Sequence, residues 1–150
     1  MTKWIEARHF LRADLTAGSG NEPAWTVGET RKYDGKVVIC ETGYHSSPSW
    51  FDALQYAPGP VACIVEVSRP IAANYTDKQV SRQRRLIRYI NVERELRLFA
   101  CDCAERALTR EREAGREPDP RSLDAIEVDR RYANGQASVS ELAAAAWAAK

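Results

Sequence analysis

The sequence predicts a single α+β domain, with residues 1–90 forming a mixed, mainly antiparallel sheet of about five or six strands. A long helix backs the sheet, and a helical hairpin closes residues 91–150. Three observations lead there. Short runs of β-branched and aromatic residues, bounded by Gly, Pro, Asn and Asp, fill the first 90 residues. Near Val92 the hydrophobic pattern becomes helical. A length of 150 residues suits one domain with one core.

Trp4 to Leu11 reads as the first strand and Ala17-Gly18-Ser19-Gly20-Asn21-Glu22-Pro23 as a loop. Trp25 to Val27 is a candidate short strand, Tyr33-Asp34-Gly35-Lys36 has hairpin-turn chemistry, and Val37 to Cys40 reads as a buried strand. Ser47, as N-cap, and Pro48, at the first helical position, open a short helix over Ser49 to Tyr56, which Pro58-Gly59-Pro60 stops. Val61 to Val67, apolar everywhere except Glu66, has the pattern of a central strand covered on both faces, and Arg69-Pro70 ends it.

In the helical part, Leu96, Phe99, Cys103 and Ala107 recur at helical spacing, with Ala100, Ala104 and Leu108 widening the stripe. That face is expected to pack on the sheet, with Cys101 and Cys103 as small apolar residues on or near it. Asp119-Pro120 begins the next helix, which ends at Asn134-Gly135. Ser138 and Glu141 form a capping box before an alanine-rich last helix carrying Trp147.

Lys and Arg number 22 against 21 Asp and Glu, so the whole chain has no electrostatic bias toward nucleic acid or an anionic membrane. The N-terminus lacks the apolar run of a signal peptide, and no stretch approaches the ~18 apolar residues of a membrane span. A cytoplasmic protein without a membrane partner is expected. Cys40, Cys63, Cys101 and Cys103 then read as reduced thiols, and the one-residue gap in Cys101-Asp102-Cys103 does not suit a structural metal site. No metal is expected.

The segment Cys40-Glu41-Thr42-Gly43-Tyr44-His45-Ser46-Ser47-Pro48 is the first candidate site, because it lies between a strand and a helix N-terminus. Tyr44, His45, Ser46 and Ser47 supply a ring, a titratable group and two hydroxyls for binding. The competing structural explanation gives a serine to the helix cap and His45 to a buried carbonyl. One histidine beside two serines, with no placed acid, is a weak triad pattern.

With Asp52-Ala53-Leu54-Gln55-Tyr56 and the strand Val61 to Val67, Cys40 and Gly43-Tyr44-His45-Ser46-Ser47 resemble a domain of unknown function frequent in phage and prophage proteins. The C-terminal third contains Cys103-Ala104-Glu105-Arg106-Ala107-Leu108, Pro118-Asp119-Pro120-Arg121, Ala125-Ile126 and Arg131-Tyr132-Ala133-Asn134-Gly135. These stretches resemble a helical module of bacterial immunity proteins, which implies toxin binding.

The aromatic-His-Ser-Ser loop, the Ala-x-x-Tyr helix and the following strand are also similar to the NAD-gripping half of ADP-ribosyltransferases. That resemblance implies NAD as cofactor, His9 or His45 on the adenosine ribose, and Tyr44 or Tyr56 on the nicotinamide. Glu66 or Glu93 would support the developing positive charge. If the protein is an enzyme, His45, Tyr44 and Glu66 are the catalytic candidates; otherwise no cofactor is expected.

Lys78, Arg82, Arg84, Arg85 and Arg88, flanked by Tyr75 and Tyr89, form a basic strip that could contact an anionic partner. Arg82, Arg84 and Arg88 share one side if the segment is a strand. The plainer explanation is a solvated face balanced by Asp77, Glu93 and Glu95, and nucleic-acid binding through Arg82 to Arg88 is the lesser alternative.

Because no complete catalytic constellation is present, the favoured reading is a phage or mobile-element accessory protein that works by binding another protein. A bacterial defence or toxin component that it inhibits is the kind of partner implied. Trp4, Trp25, Trp50 and the arginine strip are its candidate anchors.

Overall fold

A computed structural model describes residues 3–72 and 74–149. They fall into two compact units, one ending at Asn91 and the other beginning at Val92.

The first unit is built on a four-stranded antiparallel sheet. Its strands are β1 (Trp4–Leu11), β2 (Thr30–Lys32), β4 (Val61–Ser68) and β6 (Gln83–Asn91), in the order β1-β4-β6-β2. A second sheet pairs β3 (Tyr44–Ser46) with β5 (Gln79–Ser81). The six strands are therefore divided between two sheets, and all of their pairings are antiparallel.

As its apolar run predicts, β4 is central, pairing with β1 from Trp4↔Ser68 to Leu11↔Val61 and with β6 on its other side. Strand alternation places Ala7, His9 and Leu11 opposite Val65, Cys63 and Val61. Ala7, Leu11, Val61, Cys63, Val65, Val67 and Leu86 form the core with Trp25 and Tyr44. Glu66 and Arg85 fall on the alternate face, where they pair with each other. A bulge between Ile64/Val65 and Arg88/Leu86 shifts the register of β6 beyond Leu86.

Several local expectations change. Trp25 to Val27 is not a strand; the chain pairs three residues later, in β2. Val37 to Cys40 is not a buried strand but part of a tight turn, in which Glu41 and Thr42 N–H donate to the Val38 carbonyl. Cys40 there has φ 68°, a left-handed conformation incompatible with a continuing strand. The short helix α1 (Trp50–Leu54) is capped by Ser49, whose hydroxyl accepts from the Asp52 N–H. Ser47 instead bridges to Arg8 through two backbone hydrogen bonds of 2.8 and 2.9 Å.

The second unit contains α2 (Glu93–Glu113), α3 (Pro120–Ala133) and α4 (Val139–Ala148), with α3 packed against both of the others. The predicted caps form: Asp119 with Pro120 at the start of α3, Gly135 at φ 71° after it, and the reciprocal Ser138–Glu141 box on α4.

The predicted α2 stripe is correct at Leu96, Ala104 and Leu108 and wrong at Phe99, Ala100, Cys103 and Ala107. Phe99, Cys103 and Ala107 are exposed, whereas Arg97, Cys101, Ala104 and Leu108 are withdrawn from solvent. The reason is electrostatic. The α2–α3 seam is held by Arg97 to Asp129 at 2.9 Å and by Arg130 to Asp102 and Glu105 at 3.0 and 2.9 Å. Polar side chains therefore occupy the inner face, and apolarity alone does not locate it.

Candidate ligand-binding cleft

A cleft of about 700 Å³ lies in the first unit. The backbone bridge between Arg8 and Ser47 ties the end of β3 to β1, bringing His9 and His45 to the same cleft. Tyr44, Tyr56 and the Gly18-Ser19-Gly20 loop line it as well. Gly43, at φ 108°, makes the turn into β3 possible. A Cβ there would lie 2.9 Å from Val80 Cγ2 and 3.2 Å from the Ser81 carbonyl oxygen.

The Cys40 N–H donates to His45 Nε2 at 2.8 Å, which fixes that nitrogen as unprotonated and leaves the ring proton on Nδ1. Burial lowers the His45 pKa, Arg84 and Lys78 lower it further, and a hydrogen bond with the Gly43 backbone opposes them. His9 is held well below its ordinary pKa by burial, with Arg84 and His45 adding repulsion. Its Nε2 is shut off from solvent and has no hydrogen-bond partner among the described residues. Both rings are thus neutral at physiological pH.

Tyr44 donates to Glu22 Oε1 at 2.6 Å, and burial followed by that bond raises its pKa. Its ring meets Trp25 edge-on at 5.6 Å. Ser46 and Ser47 are both buried in the lining. Tyr56 stands at the exposed rim, hydrogen-bonded to Asp77, and Lys78 lies 4.2 and 5.0 Å from the ring centres of Tyr75 and Tyr56.

The arginine strip is not a continuous patch. Arg84 is only 3% exposed and lines the cleft, while Arg85 lies on the opposite face of the strand, bonded to Glu66 and 5.0 Å from the Trp4 ring centre. Arg82 donates to the Tyr33 and Gly35 carbonyls at 2.9 Å, and Arg88, beyond the bulge, is exposed. Arg82, Arg84 and Arg88 therefore do not share a solvent face. Burial pulls the Arg84 pKa down to about 10, against the attraction of Glu22 and Tyr44.

Of the transferase candidates, His9, Tyr44, His45 and Tyr56 meet at the cleft. Glu66 is outside its lining and paired with Arg85, and Glu93 belongs to the second unit, bonded to Arg97. Sequence reasoning missed Glu22, which orients Tyr44, and the inward course of Arg84. No local motif marks Glu22; the register of β6 against Val67 is what turns Arg84 inward. Among the proposed anchors, Trp25 is buried, Trp4 is half-buried, and Trp50 is exposed.

Together these features define an α+β domain with an aromatic-lined cleft that contains a buried cation. Residues 5–98 match the model of the family described as domain of unknown function (DUF7666), and the chain belongs to that family. No curated protein and no solved structure matches the chain.

Proposed function

We propose that the first unit is a receptor for a small organic ligand of about nucleotide size. The carrying observation is the convergence of His9, Tyr44, His45, Tyr56 and Arg84 on one cleft of about 700 Å³. That volume falls within the range of about 300–1,000 Å³ usual for small-molecule sites. NAD is the ligand suggested by the transferase resemblance, since the residues assigned to its ribose and nicotinamide all line the cleft. Glu66 and Glu93 do not line the cleft, whereas Glu22 and Glu41 do, so the transferase alternative requires one of those two beside the ribose.

Isothermal titration with NAD, ADP-ribose and ATP tests the proposal. Saturable binding to the wild type that weakens in His45→Ala is expected. The absence of saturable binding by all three at millimolar concentration would overturn it. Release of nicotinamide from bound NAD would restore the enzymatic alternative.

A second reading rests on α1, where neighbouring Trp50 and Phe51 are 40% and 76% exposed. Exposed aromatics of this kind anchor protein interfaces. On this reading the protein is a phage accessory factor that binds and inhibits a bacterial defence or toxin component. A stoichiometric partner captured from lysate and lost on Trp50→Ala/Phe51→Ala would support it.

A further inference from the structure

We propose that Arg84 and His9 form an oxyanion seat at the floor of the cleft, so that the ligand presents a phosphoryl or carboxylate group at its inner end. This assignment rests on the small-molecule reading of the cleft and adds the chemistry that the ligand must carry.

Arg84 is a cation in the core that makes no ion pair among the described residues. Arg84 Nη1 donates to the His45 carbonyl at 2.9 Å, and most of the five-donor guanidinium is left without an acceptor among the described residues. Trp25 and Tyr44 ring centres lie 4.5 and 5.1 Å from the guanidinium carbon. The nearest charge of opposite sign, on Glu22, is already engaged by the Tyr44 hydroxyl at 2.6 Å and by Arg31 at 3.4 Å.

A buried charge without a contacting counter-ion is costly. A planar fork held beside aromatic rings with most of its donors free is also the geometry that receives carboxylate or phosphate in a bidentate manner. His9 gives an independent indication, because it lines the same cleft and its buried Nε2 has no partner. Held neutral, the ring borders the seat without adding a second positive charge.

The depth of the cations orients the ligand. Arg84 lies at the floor, and Lys78 stands at the rim beside exposed Tyr56 and Tyr75. The anionic end therefore seats inward, and the rest of the molecule extends toward the tyrosines.

The test uses the intact protein with inorganic phosphate and with acetate as probes, and with chloride at matched ionic strength as the control. The chain has two histidines, so the ring nitrogens of His9 and His45 are assigned from a single His45→Gln variant. Phosphate, acetate or both should move the His9 ring resonances saturably while chloride does not. The stronger of the two probes identifies the class as phosphoryl or carboxylate.

Arg84→Met should weaken that binding at least about tenfold, the equivalent of one charge-assisted hydrogen bond. Arg84→Lys, which keeps the charge but loses the fork, should fall in between and covers the case in which the methionine variant does not fold. Lys78→Met, at the rim, should stay within about twofold, less than one such bond.

The seat is refuted if neither anion moves His9 more than chloride does, or if Lys78→Met loses binding while Arg84→Lys keeps it. NAD or ATP binding with His9 unmoved by both small anions would remove the seat and leave the receptor reading standing. Absence of binding by nucleotides and anions alike would remove both.

Discussion

Acidification should destabilise the first unit through His9, and the structure sets the sign. The His9 pKa is depressed in the fold by burial, by Arg84 and by His45, whereas the ordinary value is 6.5. Below pH 6.5 the unfolded chain takes up a proton that the folded chain refuses, so stability present above that pH is lost as pH falls. The slope for one such group approaches ~1.4 kcal/mol per pH unit. From pH 6.5 to about pH 5 the loss from His9 is on the order of 2 kcal/mol while its ring stays neutral in the fold. For a unit of about 90 residues that corresponds to roughly 10 °C in Tm.

The assay is urea denaturation at a series of pH values, followed by tryptophan fluorescence, for the wild type and His9→Asn. Carboxylates titrate in both proteins, so the difference between the two curves isolates the histidine. The wild-type curve should fall more steeply than the variant's below pH 6.5 and run parallel to it above. Parallel curves throughout would show that the His9 ring accepts its proton as readily in the fold as in water, and the burial argument would fail. His45→Gln should also flatten the slope, because the His45 pKa is lowered in the same direction.

Other perturbations separate the two units. Leu86→Ala, at a position 1% exposed, should cost about 2–5 kcal/mol in urea denaturation of the first unit through loss of contact and a residual cavity. Gly43→Ala must bear both a φ of 108° and a 2.9 Å approach to Val80, so it should weaken nucleotide binding by titration as β3 shifts against β5. Ser138→Ala removes the hydroxyl that accepts from the Glu141 N–H and should destabilise the helical unit by about 1 kcal/mol, seen as earlier loss of helical circular dichroism.

Strands β1 and β4 were legible because their patterns reflect burial directly: β4 is covered on almost every residue and β1 runs beside it. The caps of α3 and α4 were legible because they are local chemistry. Val37 to Cys40 misled because four apolar residues suit a strand or a turn equally, and the left-handed backbone at Cys40 decides the matter without a glycine to announce it. The α2 stripe misled at Phe99, Cys103 and Ala107, because ion pairs hold part of its seam with α3. Of the cleft, the Tyr44 to Ser47 segment was visible as an unusual loop. Its partnership with His9 depends on the Arg8–Ser47 bridge, a contact between residues far apart in sequence, and no local pattern encodes it.

Arg84 links the pH behaviour to the cleft. As a purely structural residue it would be a poor choice, since exchanging a buried ion for an apolar side chain of similar volume is often neutral or stabilising. Arg84→Met forfeits one hydrogen bond to the His45 carbonyl and two ring contacts, but it removes a desolvated cation and its repulsion of both histidines. The variant should therefore keep stability near that of the wild type at neutral pH and lose less stability on acidification. Retention of fold with loss of phosphate or acetate binding is the pattern of a charge kept for a ligand at some cost to the core. A large loss of stability in Arg84→Met, with anion binding intact in Arg84→Lys, would instead make the arginine a packing element. The depressed histidine pKa values would then follow from core packing alone.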